Sequence, residues 1–444
     1  MDKNEQNRKK TEEEIRRKLE TLPIKNFHWM LLLLLGVGWA LDAMSAGLVS
    51  FGLPSLEGEL ALKEELGILG FLLSAWNIGM FFGAFILGNL ADKVGRKSPI
   101  LLSILLYSLP TGLTAFSNSW QVIFVLRLLS GMGSAGYMAT ASTHLSEYLP
   151  KGKRGRWVAF LESAWAFGWL LASYFGLVLI GNFQYSWRSI MKGGFLPLLL
   201  LLPLGLFLPE SVRFLLRSGK QKEAQTILDQ LGISESTPIA KSRNEASIKE
   251  LLKGKYKKRT IMLWIHWFSI VLVYWGIFLW LPKVLADEKG LGTRSLLFAF
   301  TITAAQIPGY WSGAWLIEKV GRKYLLCAYM AIAGVASFFF AISEAQWQVL
   351  VSGALISFFN LGAWGATYAY TPELYPTSIR GTGSGAANSV GRIGGIVGPL
   401  LAGLLAGIFG SFYWVFIVFT AFHFVSAIVI GLFGEETKGK PLEA

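Results

Sequence analysis

One cysteine, four histidines and little charge are what this chain is short of. A lone Cys327 excludes an intrachain disulfide and a thiolate metal cluster. Four scattered histidines, His266 among them, supply no metal constellation. Charged residues are only 16% of the chain against 53% hydrophobic, with a mean hydropathy of +0.48, which excludes an ordinary soluble domain of this length. Gly95 and Gly321 lie in short loops lacking the strand–loop–helix setting of a phosphate cradle. No ATPase signature follows, no cofactor is called, and no metal site is called.

What is present is apolar sequence in span-sized pieces. Runs such as Trp29 to Leu35 and Leu196 to Leu202 suit lipid, and a membrane-crossing helix needs roughly 20 residues. The 49 glycines then permit close helix approach. The reading gives twelve spans near 28–54, 66–90, 99–117, 120–147, 157–180, 189–208, 260–286, 295–317, 324–342, 347–371, 382–409 and 412–433. A cytoplasmic tail at 1–27 precedes them, with a short helix expected from Thr11 to Leu22. This tail leads directly into a spanning segment without a small-residue cleavage site. The bundles are 28–208 and 260–433, joined by a cytoplasmic linker at 209–259 with short helices and followed by a tail at 434–444. The fold class is an all-α membrane protein.

The net charge of +13 invites a nucleic-acid reading, which its distribution removes. Basic clusters occupy Lys93 to Lys97, Lys151 to Arg156, Lys249 to Arg259 and Lys319 to Lys323. The connections between them carry almost nothing basic. That alternation is the positive-inside pattern and puts both termini in the cytoplasm.

The sextet Asp92-Lys93-Val94-Gly95-Arg96-Lys97 returns as Glu318-Lys319-Val320-Gly321-Arg322-Lys323, an offset of 226 residues. Glu147, Tyr148, Pro150 and Gly155 have counterparts in Glu373, Tyr375, Pro376 and Gly381. Two equivalent halves that start and end on one side suit a carrier that rocks about a central site. On these motifs the chain resembles the major facilitator superfamily. Pro209-Glu210-Ser211-Val212-Arg213 and Pro372-Glu373-Leu374-Tyr375-Pro376 resemble its sugar-porter, organic-ion and synaptic-vesicle-protein-like branch. Gly365 to Gly398, with Trp39, Asp42 and Leu53-Pro54, looks most like niacin and aromatic-acid carriers. The resemblance implies a conformational latch formed by Asp92, Arg96, Glu147, Arg154, Glu210, Glu318, Arg322, Glu373 and Arg380, joining the halves in the outward-facing state.

Charges inside spans are costly and mark function. Asp42 in span one and Arg127 in span four fall at similar depths, so a pair across these helices is expected. In the resembling branch a first-helix aspartate takes up and releases the coupling proton; a second aspartate that follows it there is Ser45 here. Glu162 in span five is read as a proton-exit or gate group. Arg392, beside Gly391, Gly394 and Gly395, is assigned to clamping an anion, because its fork matches a carboxylate. Trp39, Tyr274, Trp364 and Tyr368 are candidates for packing a planar ring, while Asn77, Gln306, Asn360 and Asn388 offer neutral hydrogen bonds.

The leading expectation is proton-coupled symport of a small aromatic monocarboxylate such as nicotinate or benzoate, driven by the proton gradient. The expected partners are an organic anion, protons and membrane lipids, with a functional monomer in the plasma membrane. Transport of a sugar, polyol or organic cation, or ligand binding without transport, stays open at this point.

Overall fold

The computed structural model describes residues 23–150, 153–233, 248–376 and 379–439; the helix expected over Thr11–Leu22 lies outside them. Span one is Asn26–Glu59, span two Leu66–Val94, span three Lys97–Leu113 and span four Trp120–Tyr148. Span five is Arg154–Phe175, continued by a wider-wound stretch, Gly176–Asn182. Span six passes through Trp187–Met191, Lys192–Leu200 and Leu201–Phe207. In the second half, span seven is Gly254–Ala286, and span eight is Ser295–Ala304 with Gln306–Val320. Span nine is Arg322–Ile342, span ten Gln346–Glu373, span eleven Arg380–Phe409 and span twelve Tyr413–Phe433. Helix is the expected solution, because a backbone crossing lipid must satisfy its polar groups internally.

Among the described residues, eleven helices are individually long and apolar enough to cross a membrane. The remaining crossing, span eight, is divided at Ala305, which nevertheless keeps near-helical dihedrals of φ −65° and ψ −14°. Pro308 accounts for the division. It has no N–H for the carbonyl of Ala304, and its ring crowds that carbonyl. In span six, Pro197 interrupts the ladder in the same way within its tighter-wound middle segment.

Span one packs on span five and span two on span four; in the second half, span seven packs on eleven and span nine on twelve. The halves meet mainly where span two crosses span eleven and span one crosses span seven. Close approach depends on small residues. A side chain at Gly168 would strike the Ala40 carbonyl of span one, and one at Gly394 the Phe268 carbonyl of span seven. The linker region carries Val212–Arg217, Gln221–Leu231 and Ile248–Leu251. Ala224, Leu228 and Leu231 bury one face of the middle helix, and Lys25 Nζ donates to the Leu231 carbonyl at 2.8 Å.

The seam is closed at one end and open at the other. Toward the face opposite the basic loops, Lys283 of span seven meets Glu57 of span one at 2.6 Å, with both side chains buried. Asp287 joins the same ammonium at 2.7 Å. Ser50 donates to the carbonyls of Phe278 and Leu279, and Ser74 to that of Ile396, so spans one–seven and two–eleven are also stitched by hydrogen bonds. Toward the basic loops, a cavity of about 1340 Å³ lies between spans five, eight and ten. Arg154, Glu318, Arg322 and Arg380 stand at its rim. Positive-inside topology makes this the cytoplasmic face, so the conformation is inward-open.

Candidate functional site: a central aromatic chamber

Where the cavity narrows, a chamber of about 20 Å³ continues from it. Its walls are Trp39, Met138, Glu162, Trp165, Tyr274, Trp275, Tyr310, Trp364, Tyr368 and Arg392. Glu162, Tyr310 and Tyr368 also line the larger cavity and therefore mark the passage between the two. Six candidates chosen from sequence meet here: Trp39, Glu162, Tyr274, Trp364, Tyr368 and Arg392. Asn388, one turn before Arg392 in span eleven, lies near Tyr368 but is not part of the chamber wall.

The rings form one cross-half cluster. Trp165 Nε1 donates to Tyr274 Oη at 2.7 Å, linking span five to span seven. Tyr274 packs on Trp364 with centroids 5.2 Å apart, and Trp267 meets Tyr368 edge-on at 5.0 Å. Trp169, Trp275 and Tyr310 extend the cluster and were not singled out as ring contacts from sequence. Aromatic composition cannot select them, because tryptophans exposed on the outside of the bundle, such as Trp347 and Trp414, look the same in one dimension.

Arg392 has an unusual set of partners. Its Nη1 lies 3.1 Å from Met80 Sδ and its Nη2 4.0 Å from Met138 Sδ, both in the other half of the molecule. Thioethers are weak acceptors, so the guanidinium's five donors are largely uncommitted. Trp39 Nε1 and Trp275 Nε1 are buried without hydrogen-bond partners among the described residues. The chamber is therefore rich in unused donors. Its one carboxylate, Glu162, has no hydrogen bond or ion pair among the described residues.

Asp42 is fully buried beside the chamber; its Oδ2 accepts from Ser134 Oγ at 2.8 Å, while Oδ1 has no hydrogen-bond partner. The contact pair expected with Arg127 is absent among the described residues. Arg127 instead donates to the carbonyls of Ser45 and Ala46, each at 2.8 Å, and stacks over Trp76 with 4.4 Å to the centroid. Those carbonyls lie one helical turn beyond Asp42, so the equal-depth estimate misplaced the guanidinium by about a turn, roughly 5 Å. Asp42 remains within electrostatic range of both Arg392 and Arg127.

The other three amide candidates also lie outside the chamber wall. Asn77 is buried where span two faces Gly395, with neither amide atom hydrogen-bonded. Gln306 is similarly buried and unpartnered in span eight, while Asn360 lies 3.3 Å from His423 Nε2. His266 is held between Ser426 and Thr367.

The loop motifs form two matching clusters, each within its own half. In the first, Arg96 pairs with Glu147 at 3.3 Å, and Glu210 accepts from the Arg96 and Ser211 backbone N–H groups at 2.6 and 2.7 Å. Ser211 Oγ donates to Glu147. In the second, Arg322 pairs with Glu373 at 3.1 Å and Glu318 at 3.0 Å. Glu436 accepts from the Arg322 and Lys323 N–H groups at 3.0 and 3.1 Å, and Thr437 Oγ1 donates to Glu373. Glu436 was missed, yet the 226-residue offset applied to Glu210-Ser211 leads directly to Glu436-Thr437. Burial pushes the Glu436 carboxyl up, but the N–H groups of Lys438, Arg322, Lys323 and Thr437 outweigh this and hold it below the usual carboxylate range. Arg154 and Arg380 occupy equivalent places, with Nε donating to the Leu149 and Tyr375 carbonyls. The Asp92 side chain lies outside the described residues.

Two pseudo-equivalent helical bundles around a chamber open to one face and closed to the other define the architecture of a secondary membrane transporter. A family model described as "Sugar (and other) transporter" matches residues 42–444, and the chain belongs to that family, a branch of the major facilitator superfamily of carriers rather than enzymes. It is 36% identical over 435 residues to the "Niacin transporter NiaP" of Acinetobacter baylyi, covering 96% of this chain and 98% of that one. It is 27% identical over 384 residues to the "Benzoate transport protein" of the same organism, covering 83% and 82%. A solved structure, the partially occluded inward-open conformation of the xylose transporter XylE from E. coli, superposes with a TM-score of 0.74 at 19% identity, covering 94% of this chain and 100% of that one.

Proposed function

We propose that this carrier takes up a small aromatic monocarboxylate, with nicotinate and benzoate as the leading candidates, together with a proton. The observation that carries this reading is Arg392: an intramembrane guanidinium whose hydrogen-bond partners among the described residues are thioethers, within a wall of aromatic rings. A carboxylate offers the planar two-oxygen match that thioethers lack, and the rings offer faces to the attached aromatic ring. A neutral sugar has no use for such a cation. The relatives named for niacin and benzoate point the same way.

The mechanism turns on two charges. With the carrier open outward, Asp42 receives a proton from the external solution. Its pull on Arg392 is then removed, and the guanidinium becomes available to the incoming carboxylate. Protonated Asp42 and neutralised Arg392 carry little unpaired charge through the low-dielectric core during rocking, which lowers the cost of the transition. On the cytoplasmic side the proton and the acid leave through the large cavity. The present chamber has room for about one water, so the ring enters as Tyr310 and Tyr368 at the passage move aside.

Purified protein in proteoliposomes should accumulate labelled nicotinate when an inward proton gradient is imposed. Asp42→Asn should abolish accumulation while leaving exchange of labelled for unlabelled nicotinate intact. Accumulation by the Asn variant equal to that of the parent would remove Asp42 from coupling.

A further inference from the structure

The chamber holds two charged side chains, and the carboxylate clamp uses only one. Glu162 stands at the passage, 6% exposed, with no hydrogen-bond or ion-pair partner among the described residues. Arg392 comes from span eleven and Glu162 from span five, so the two poles belong to opposite halves. Tyr368 lies within electrostatic range of both. The remaining surroundings are aromatic or thioether, which leaves Glu162 as the wall's carboxylate acceptor beside unused donors.

We propose that Glu162 is a specificity-determining residue that reads the ring of the substrate. It selects aromatic acids carrying a basic ring nitrogen over plain benzoate. This inference rests on Arg392 holding the carboxylate, as argued above. With the carboxylate fixed at Arg392, the ring positions meta and para to it extend toward the span-five side of the chamber, where Glu162 stands. A pyridine nitrogen there shares one proton with Glu162. The proton resides either on the nitrogen, which donates to the carboxylate, or on the carboxyl, which donates to the nitrogen. The proton count is the same in both forms. Benzoate presents only a C–H at that edge and leaves the buried carboxylate unmatched, a penalty that falls on the wrong ligand alone.

The test measures nicotinate and benzoate binding to the purified full-length carrier by titration calorimetry. The parent should prefer nicotinate, and Glu162→Leu should reduce that preference about tenfold, mainly by weakening nicotinate. Glu162→Gln should keep the preference within about threefold, since its amide also donates to a ring nitrogen. An unchanged preference in Glu162→Leu would overturn the proposal, as would equal weakening of both acids. Loss of preference in the Gln variant matching that in Leu would also overturn it. The underlying reading fails separately: it falls if the parent binds neither acid.

Discussion

At the residue scale, the decisive contrast is between an arginine that is satisfied and one that is not. Arg127 has two backbone carbonyls and an indole face and serves as a tie between spans one and four. Arg392 has sulfur. Arg392→Ala should therefore weaken nicotinate binding about 10- to 100-fold, the range of a charge-assisted hydrogen bond. Arg392→Lys should recover only part of that loss, because an ammonium keeps the charge but not the fork. Calorimetry on the three proteins decides it, and equal affinities would end the clamp assignment. That these charges lie inside spans was legible in the sequence, and an ionisable residue there has few innocuous explanations. Who pairs with whom was not. Depth counted along two helices ignores their tilt and rotation, and one turn of error was enough to exchange the Asp42 carboxylate for the Ser45 and Ala46 carbonyls. The same ignorance of rotation sent Asn360 to His423 instead of the chamber.

At the element scale, hydropathy marks the spans, and proline reports where they are interrupted. Pro308 was visible in the sequence, but the division at Ala305 depends on which carbonyl loses its partner. The seam between spans one and seven was less legible still, since Glu57 and Lys283 fall near helix ends where charge is ordinary. Burial makes their pair a lock on the outer side of the carrier. Removing one partner of a buried pair typically costs about 3–5 kcal/mol, and here that cost falls on the outward-closed conformation. Asp287 shares the same ammonium at 2.7 Å, so replacing Lys283 strips the cation from both carboxylates. Lys283→Gln should thus shift the carrier toward outward-open. The readout is external maleimide labelling of Ser50→Cys, a seam position, in a Cys327→Ser background. Labelling should accelerate several-fold in Lys283→Gln, and an unchanged rate would show that the pair does not set the closure.

At the scale of the whole molecule, the two halves repeat a device as well as a fold. Glu210 and Glu436 each pin the loop after an even-numbered span by accepting from its backbone N–H groups, and each adjoins an Arg–Glu pair of its own half. With the cytoplasmic cavity open, every described contact of this kind is internal to one half. A latch of the kind the family resemblance implies would recruit these groups across the seam as the cavity closes. The duplication was legible through the 226-residue offset, but Glu436 escaped because the matching stretch keeps only two polar positions and replaces Pro209 with Glu435. Since the folded-state carboxyl of Glu436 is depressed, its stabilising contribution is full above the ordinary glutamate range and is lost as pH falls through the folded-state value. At neutral pH, Glu210→Gln and Glu436→Gln should each slow turnover several-fold, because the loop loses an anion but keeps one acceptor. Neither residue lines the chamber, so the ratio of nicotinate to benzoate uptake should stay at the parent value in both variants. If the clusters act together across the closing seam, the double variant should be slowed by less than the product of the single effects, because either substitution already disables the shared device. Initial uptake rates of the parent, two single variants and double variant decide this: a strictly multiplicative result would mean that each loop is stabilised independently.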